Sequence, residues 1–512
     1  MRKGTPPYAG RDSALLDAAI RAYSTSAVGK EAAHRRDPHL MTAPQKIRSI
    51  AVSGLQEMFN YRIDFRGDGK TAILIAPNGY GKTAFLTVIN ACLQFRLFEA
   101  ADHRFERLIV EFYDKKRWTF TRTKYKNEER PKLPKIVRLQ GMRRRNLRNY
   151  RNRDTYILFE EHDKNSKKTN EIKGNEISYE LFCHVLERAL PVIRVGSDSF
   201  RDMENNDIVG ADELIVRYRN LLENDPDLQE QIRGYSMVFG DVENKTSCVF
   251  IETQRLLQTK TDPNPNDESS SNSSEAILRQ ANHLAEMLQK IYATYAAKSQ
   301  ELDRSFPNRL VSLVSRSTQS EPSGCEIARL KEDLEQIENR RKELTEAGIL
   351  VDTAEALVPP EDQFIKNVSD ALKIYVEDSR EKLSTFEELY KKVSVFRELI
   401  SKKLKPKTLD ISREFGARVR RNDNVVELDK LSSGEKHEFI MLFKLIFETP
   451  PQSIVLIDEP EISLHVSWQL EFMSDLERIQ SANSFQSIIA THSPQIIQGV
   501  ERLTFDLSEQ AK

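Results

Sequence analysis

Residues 71–83 read TAILIAPNGYGKT, so an apolar run leads directly into a glycine-rich loop that ends in a lysine and a threonine. Glycines in such a loop allow several backbone N–H groups to point at one phosphate, and the helix that follows adds its positive dipole. The stretch fits the Walker A pattern except that Ala76 stands in place of its first glycine. It predicts an α/β fold in which a phosphate-binding loop joins a buried strand to a helix.

This P-loop predicts a site for ATP and Mg²⁺. Lys82 would reach the β and γ phosphates and Thr83 would bind Mg²⁺. An ordinary strand–turn–helix segment is the alternative, and the apolar strand before the loop favours the nucleotide site. The candidate nucleotide-binding residues of the loop are Asn78, Gly79, Tyr80, Gly81, Lys82, Thr83 and Ala84.

A second apolar run, SIVLI at 453–457, ends in Asp458 and Glu459. A short, continuously apolar strand is typical of a buried parallel sheet. Asp458 could hold the Mg²⁺ shell, and Glu459, pointing elsewhere, could polarise an attacking water. Solvated acids at a strand end are the alternative, and the P-loop earlier in the chain favours the catalytic interpretation.

The sequence LSSGE at 431–435 opens an apolar helix shortly before Asp458. Ser432 and Glu435 fit a helix-capping box, which would be a purely structural role. The position of the motif favours a second role, in which Ser432 and Gly434 offer a hydroxyl and free N–H groups to a γ-phosphate.

Two residues at strand ends complete the candidates. His492 follows the apolar run of IIATHSP at 488–494, where a histidine can contact the γ-phosphate or the attacking water. Gln254 follows the strand-like residues 248–253 and could bind the metal or a water, although a surface glutamine is an equal alternative. The sequence thus assigns catalysis to Glu459 and His492, and metal binding to Thr83, Asp458 and Gln254.

The composition indicates a protein of the reducing cytosol. The 512 residues have a net charge of -1, and no apolar run approaches the ~18 residues that a membrane span requires. The four cysteines are scattered without a CxxC pair, which argues against a zinc site or a disulfide framework. The first forty residues lack the apolar region of a secretory signal. We therefore expect a cytoplasmic location and no membrane partner.

The chain reads as a head interrupted by a helical insertion. Apolar stripes at 326–347 and 369–402 predict two antiparallel helices, a short coiled-coil hairpin joined through Pro359 and Pro360. The expected boundaries are a disordered extension over 1–45 or a start near Met41, the first part of the head over 46–258, a flexible loop over 259–275, the helical insertion over 276–407 and the second part of the head over 408–512.

Residues 115–153 form a basic insertion with sixteen Lys or Arg and two acidic residues. Arg143, Arg144 and Arg145 are followed by further arginines that alternate with asparagines and Tyr150. Arginine neutralises phosphates and tyrosine stacks on exposed bases, so the segment could bind nucleic acid. A solvated or acid-paired loop is an equal alternative, because the chain as a whole is charge-balanced.

The motifs together resemble a known group of ATPases. APNGYGKT, LSSGE, IVLIDEPEISLH and IIATHSPQII are similar to the ABC-type heads of the SMC, RecF and OLD group rather than to transporter ATPases. IDEPEISLH followed by THSPQII most resembles the PtuA-type ATPases of Septu and retron defence systems. The resemblance covers residues 46–113 and 425–500, and the middle of the chain has no matching motif.

The resemblance implies a fold and a set of roles. It implies an ABC-type ATPase head with an inserted helical domain, and a homodimer or higher oligomer that closes over ATP. Ser432 and Gly434 would act on the ATP of the partner copy. Glu459 would be the general base, His492 the switch histidine, and SLH at 463–465 the D-loop.

Two functions follow from the resemblance. The first is a prokaryotic antiphage defence ATPase that controls an HNH-type, PtuB-like effector nuclease and contacts DNA, RNA or retron msDNA. About twenty residues follow His492, so we expect the nuclease to be a separate partner. The second is a DNA-repair ATPase of the RecF or SMC kind, although the short insertion without a CxxC hook argues against the Rad50 type.

Overall fold

The computed structural model describes residues 46–124, 155–163, 165, 168–174, 183, 186–187, 189–194, 199–203, 208–210, 214, 217–218, 221, 247–252, 269–316, 323–351, 362–422, 424–462 and 464–511. The expected extension over 1–45, Gln254 and the arginines at 143–145 lie outside these residues. Within the described part of the chain, no helix is long and apolar enough to cross a membrane.

The strands are β1 (Ile47–Leu55), β2 (Phe59–Asp64), β3 (Thr71–Ile75), β4 (Arg107–Phe112), β5 (Arg117–Lys124), β6 (Thr155–His162), β7 (Lys168–Gly174), β8 (Val192–Arg194), β9 (Ser199–Asp202), β10 (Ile208–Gly210), β11 (Cys248–Glu252), β12 (Thr408–Ser412), β13 (Gly416–Arg421), β14 (Asn424–Val426), β15 (Ile454–Asp458), β16 (Gln486–Ala490) and β17 (Thr504–Asp506). The helices are α1 (Lys82–Leu93), α2 (Leu97–Ala100), α3 (Ser269–Arg316), α4 (Gly324–Glu346), α5 (Asp362–Ser384), α6 (Glu387–Lys403), α7 (Ser433–Phe443), α8 (Val466–Ala482), α9 (Pro494–Ile497) and α10 (Leu507–Gln510). The predicted α/β head with a P-loop and an inserted helical domain is confirmed.

A parallel sheet has the strand order β11-β15-β16-β3-β17. Successive residues of a strand face opposite sides, and in β3 Ile73 packs into one core whereas Ala72 and Leu74 pack into the other. Burial on both faces explains why these strands read as continuous apolar runs. The register places Asp458, Ala490 and Leu74 in neighbouring positions, so the carboxyl ends of β15, β16 and β3 meet at one edge.

An antiparallel sheet in the order β2-β1-β4-β5-β6-β7 shares the second of these cores with α1. Its strand β5 runs as far as Lys124, which pairs with Thr155 of β6. Residues 117–124 of the predicted basic insertion are therefore a strand of this sheet. The rest of that insertion, 125–153, lies outside the described residues.

The helical insertion contains a long helix that sequence analysis did not predict. Helix α3 has 48 residues and begins at Ser269, inside the segment expected to be a flexible loop. Its first half packs against the head, where Gly416 in β13 adopts a φ of 68°. A Cβ atom at Gly416 would stand 1.7 Å from the carbonyl oxygen of Ala281 in α3, so glycine is what permits this close approach.

The second half of α3 packs against α5. Lys298 pairs with Glu381 at 2.6 Å, and Arg309 pairs with Asp378 at 2.5 Å. Because the residue numbers rise on one helix as they fall on the other, the two helices are antiparallel. The antiparallel partner of α5 is thus α3, and not the helix at 326–347 that the sequence predicted.

Helices α4 and α5 run parallel, and the antiparallel arrangement predicted for them is wrong. Lys373 pairs with Glu326 at 3.9 Å, and one heptad later Arg380 pairs with Asp333. An apolar stripe fixes which faces of two helices meet but not their direction.

Candidate functional site

The P-loop joins the end of β3 to the start of α1. Gly79 and Gly81 have φ angles of 90° and 72°, in the left-handed region that side chains with a Cβ disfavour. No atom lies within 4 Å of the place that a Cβ of Gly79 would occupy, so its backbone is open to an approaching phosphate. Ala76, in the first glycine position of the motif, is only 8% exposed and packs into the core, which explains why a methyl group is tolerated there.

Lys82 is the first residue of α1 and is only 6% exposed. Its ammonium group donates to the carbonyl oxygen of Ala76 at 2.9 Å, so the side chain curls back over the loop. Burial lowers the pKa of Lys82, and the carboxylates of Glu459 and Asp458 oppose that shift. The ammonium group of Lys82 is therefore held against the P-loop.

The hydroxyl of Thr83 donates to the Oδ2 atom of Asp458 at 2.7 Å. Burial raises the pKa of Asp458, whereas the bond from Thr83 acts to lower it. A hydroxyl and a carboxylate at this separation are the hard oxygen ligands that Mg²⁺ prefers. The predicted metal residues that the structure describes therefore fit a magnesium ion.

Glu459 continues the backbone of β15 past Asp458. Its N–H donates to the carbonyl oxygen of Ala490 at 2.8 Å, and its φ angle of 50° is unusual for a residue other than glycine. Pro460 follows, so the chain turns sharply here. The two carboxylates remain close enough for the charge of Glu459 to act to raise the pKa of Asp458.

His492 lies just beyond β16, which separates β15 from β3 in the sheet. Its Nε2 atom stands 2.5 Å from Nζ of Lys82 and 3.9 Å from Oε1 of Glu459. The structure therefore brings together the residues predicted from the P-loop, the second apolar strand and the histidine motif.

The residues LSSGE at 431–435, the signature motif, lie at the start of α7. Ser432 caps α7 and is exposed, and its hydroxyl is bonded to the carboxylate and the N–H of Glu435. Lys407 donates to the same carboxylate at 2.7 Å. Burial acts to raise the pKa of Glu435, but the bonds from Lys407 and Ser432 hold it below its ordinary value. The capping box predicted from sequence is confirmed, and a phosphate-binding role stays a prediction.

The remaining predicted residues have ordinary or undescribed surroundings. Asn78 is exposed and Ala84 is half-buried. His465 of the expected D-loop caps α8 through its Nδ1 atom, which accepts from the N–H of Ser467. Gln254 and Ser463 lie outside the described residues.

Sequence reasoning missed two residues that support the site. The hydroxyl of Tyr61 in β2 donates to the carbonyl oxygen of Tyr80 in the P-loop at 2.7 Å. Glu461, just after the catalytic candidates, bonds the backbone of His492 at 2.6 Å. Nothing in the alternation of β2 marks Tyr61, whereas the position of Glu461 three residues after Asp458 was a signal that could have been used.

Comparison with known proteins gives three kinds of match. A family profile described as an AAA ATPase domain matches residues 46–497. The protein ea59 of Escherichia phage lambda is 35% identical over 81 residues, which are 16% of this chain and 15% of that protein. The chain thus spans a small part of that relative.

Three solved Smc head structures are similar to the chain at low identity. A head bound to the C-terminal winged-helix domain of ScpA has 11% identity and a TM-score of 0.31, covering 88% of this chain and 91% of that one. A Pyrococcus furiosus head with an extended coiled coil, bound to the C-terminal domain of ScpA, has 12% identity and a TM-score of 0.27 over 88% and 90%. A Pyrococcus yayanosii head with a coiled coil and joint has 14% identity and a TM-score of 0.27, covering 88% of this chain and 93% of that one.

Proposed function

The chain belongs to the AAA ATPase domain family, and on that premise we propose that it binds and hydrolyses Mg-ATP as one half of an ABC-type clamp. The observation that supports hydrolysis is the meeting of Lys82, Asp458, Glu459 and His492 at one edge of the parallel sheet. These are a cation for phosphate, a metal ligand, a base and a polar contact.

Each residue has a defined task in this proposal. Lys82 and the backbone of the P-loop bind the β and γ phosphates, and Thr83 with Asp458 holds Mg²⁺, which neutralises charge on the phosphates when bound. Glu459 accepts a proton from the attacking water. His492 orients that water or the γ-phosphate.

The signature motif supports a site shared by two copies. Ser432 is exposed at the start of α7, and among the described residues its hydroxyl bonds only Glu435 of its own capping box. A helix N-terminus has free N–H groups and a positive dipole, both of which suit a phosphate. We propose that Ser432 and Gly434 meet the ATP bound by a second copy, so that a homodimer or higher homo-oligomer carries composite sites.

The biological role that we propose is antiphage defence of the Septu or retron kind. The support for it is the pair of motifs IDEPEISLH and THSPQII. In this role the clamp controls a separate HNH-type nuclease in the cytoplasm. Copurification of the complex from its native operon tests this, because a bound nuclease supports defence and a bound repair factor supports the RecF or SMC alternative.

Contact with nucleic acid is a further part of the proposal. Its support is the basic composition of residues 125–153, which include Arg143, Arg144 and Arg145. Replacing these three arginines with glutamate should weaken binding to DNA, RNA or msDNA and flatten its dependence on salt. Unchanged affinity across a salt series would remove the case for this segment.

The variant Glu459→Gln tests the catalytic proposal most simply. Glutamine has nearly the same shape but cannot take the proton, so hydrolysis should fall about 10²- to 10⁴-fold while ATP binding remains. Light scattering should then detect an ATP-dependent dimer that persists. The exposed Glu477 on α8 supplies a matched control, Glu477→Gln, which should behave as the wild type. Hydrolysis by Glu459→Gln at the wild-type rate would show that Glu459 is not the base.

A further inference from the structure

We infer that Glu461 is a positioning residue that holds His492 in its place against the nucleotide site, an inference that rests on the proposed function. No motif assigns this role to Glu461. The inference concerns which side chain determines where the imidazole stands, and it can fail while the ATPase proposal survives.

Both carboxylate oxygens of Glu461 bond the loop that carries the histidine. Oε1 accepts from the N–H of His492 at 2.6 Å, and Oε2 accepts from the hydroxyl of Thr491 at 2.7 Å. Thr491 is fully buried, and its hydroxyl oxygen accepts in turn from the N–H of Ser493 at 3.0 Å. Charge-assisted bonds of this length are among the strong ones in proteins, so the backbone on both sides of the imidazole is fixed.

A second contact holds the other end of the same loop. The hydroxyl of Ser493 donates to the Oε1 atom of Gln469 in α8 at 2.7 Å. The amide nitrogen of Gln469 donates to the carbonyl oxygen of Leu464 at 3.1 Å. The loop after β16 is thereby attached at two points to the segment that joins the end of β15 to α8.

This double attachment leaves the imidazole as the adjustable part of His492. Its side chain is 34% exposed and stands between Lys82 and Glu459, whereas its backbone N–H is bonded to Glu461. Displacing a catalytic group by about 1 Å can cost a factor of about 10² in rate. Without the carboxylate of Glu461, the N–H of His492 would lose its acceptor. The loop would then sample positions in which the imidazole lies farther from Glu459.

Glu461 acts through His492 and not on ATP directly, because both of its oxygens are occupied by the loop. Its removal should therefore lower kcat, with a smaller effect on KM for ATP, because Lys82 loses the charge of Glu461 but keeps the stronger influence of Glu459 and Asp458 beside it. We expect about a tenfold fall in kcat for Glu461→Ala. Glu461→Gln keeps one carbonyl acceptor for the N–H of His492 and should recover part of the loss.

A double-mutant cycle with His492→Ala tests the inference. Single-turnover release of labelled phosphate is measured for Glu461→Ala, Glu461→Gln, His492→Ala and the double variants, with Glu477→Gln as the control and thermal unfolding recorded for each. If Glu461 acts through the histidine, its substitution should slow the chemical step in the wild-type background and change it less than twofold in the His492→Ala background.

The outcomes separate the two proposals. Equal slowing in both backgrounds, or a fall in unfolding temperature with no change in kcat, would overturn the role of Glu461 alone. If His492→Ala hydrolyses ATP at the wild-type rate, the assigned role of the histidine fails and the inference fails with it. A changed KM for ATP with an unchanged kcat would also contradict a positioning role.

Discussion

A buried charge cluster gives a prediction whose size follows from the structure. Lys403, the last residue of α6, places its ammonium group 3.1 Å from Oε1 of Glu438 in α7 and 2.8 Å from Oδ2 of Asp475 in α8. The exposed fractions of the three side chains are 2%, 3% and 6%. The helical insertion, the helix of the signature motif and the helix after β15 are therefore joined at one cation.

Replacing Lys403 with methionine would leave two carboxylates buried without their cation. Removing one partner of a buried ion pair costs about 3–5 kcal/mol, because the remaining charge is desolvated and uncompensated. Lys402 is the matched control, since it pairs with Glu471 at 2.8 Å while the two side chains are 43% and 36% exposed. An exposed pair contributes about 0–1 kcal/mol, so Lys402→Met should have little effect.

Urea unfolding at neutral pH measures the difference between the two variants. The fluorescence of Trp468 is a suitable signal, because its ring centroid lies 5.6 Å from Nζ of Lys403. Lys403→Met should unfold at a clearly lower urea concentration than Lys402→Met. The reasoning is refuted if the two variants lose the same stability.

The same cluster predicts a dependence on pH. Burial raises the pKa of Glu438, and the nearby Lys403 opposes that shift without cancelling it. The native state then holds this proton more tightly than the unfolded chain does, so the contribution to stability is complete below the ordinary glutamate pKa. It is lost as pH rises from there through the raised pKa. In Glu438→Gln this slope should be absent, and a slope that persists would point to another group.

Two further predictions concern the P-loop. Tyr61→Phe removes the donor to the Tyr80 carbonyl, a hydrogen bond worth about 1 kcal/mol, so KM for ATP should rise about fivefold in steady-state assays while kcat stays unchanged. Because burial raises the pKa of Tyr61 to about 12, this effect should be constant from pH 6 to 9. An unchanged KM would contradict the prediction. Gly81→Ala places a Cβ at a φ of 72°, which costs about 1–2 kcal/mol, so titration calorimetry should detect weaker ATP binding. The control is Gly499→Ala, at a φ of 81° in an exposed loop, which should leave ATP affinity unchanged.

The sequence was sufficient to predict the parts of the fold that depend on local patterns. Continuous apolar runs marked β3, β15 and β16, and the glycines marked the loop between β3 and α1. Their assembly at one edge followed from the rule that parallel strands align their carboxyl ends. The same rule explains why Lys82, Asp458 and His492 lie together at this edge of the sheet.

Features that depend on long-range pairing could not be obtained in this way. The stripe of α4 indicates an apolar face, but its parallel course beside α5 is a long-range arrangement, seen in the pairing of residues 47 positions apart such as Arg380 and Asp333. The polar, serine-rich start of α3 is typical of a loop, whereas in the structure the helix begins there, at Ser269. Tyr61 acts on a backbone group, which carries no sequence signal of its own.

The central claim is that two copies complete each other's ATP site, and a mixing experiment tests it most directly. Lys82→Ala should lose phosphate binding, and Ser432→Arg should block the approach of α7 to the partner's ATP, so each variant alone should be inactive. In a mixed dimer one site would combine an intact P-loop with an intact signature, so the mixture should regain part of the ATPase activity. A mixture that forms dimers and remains as inactive as its components would contradict the shared site.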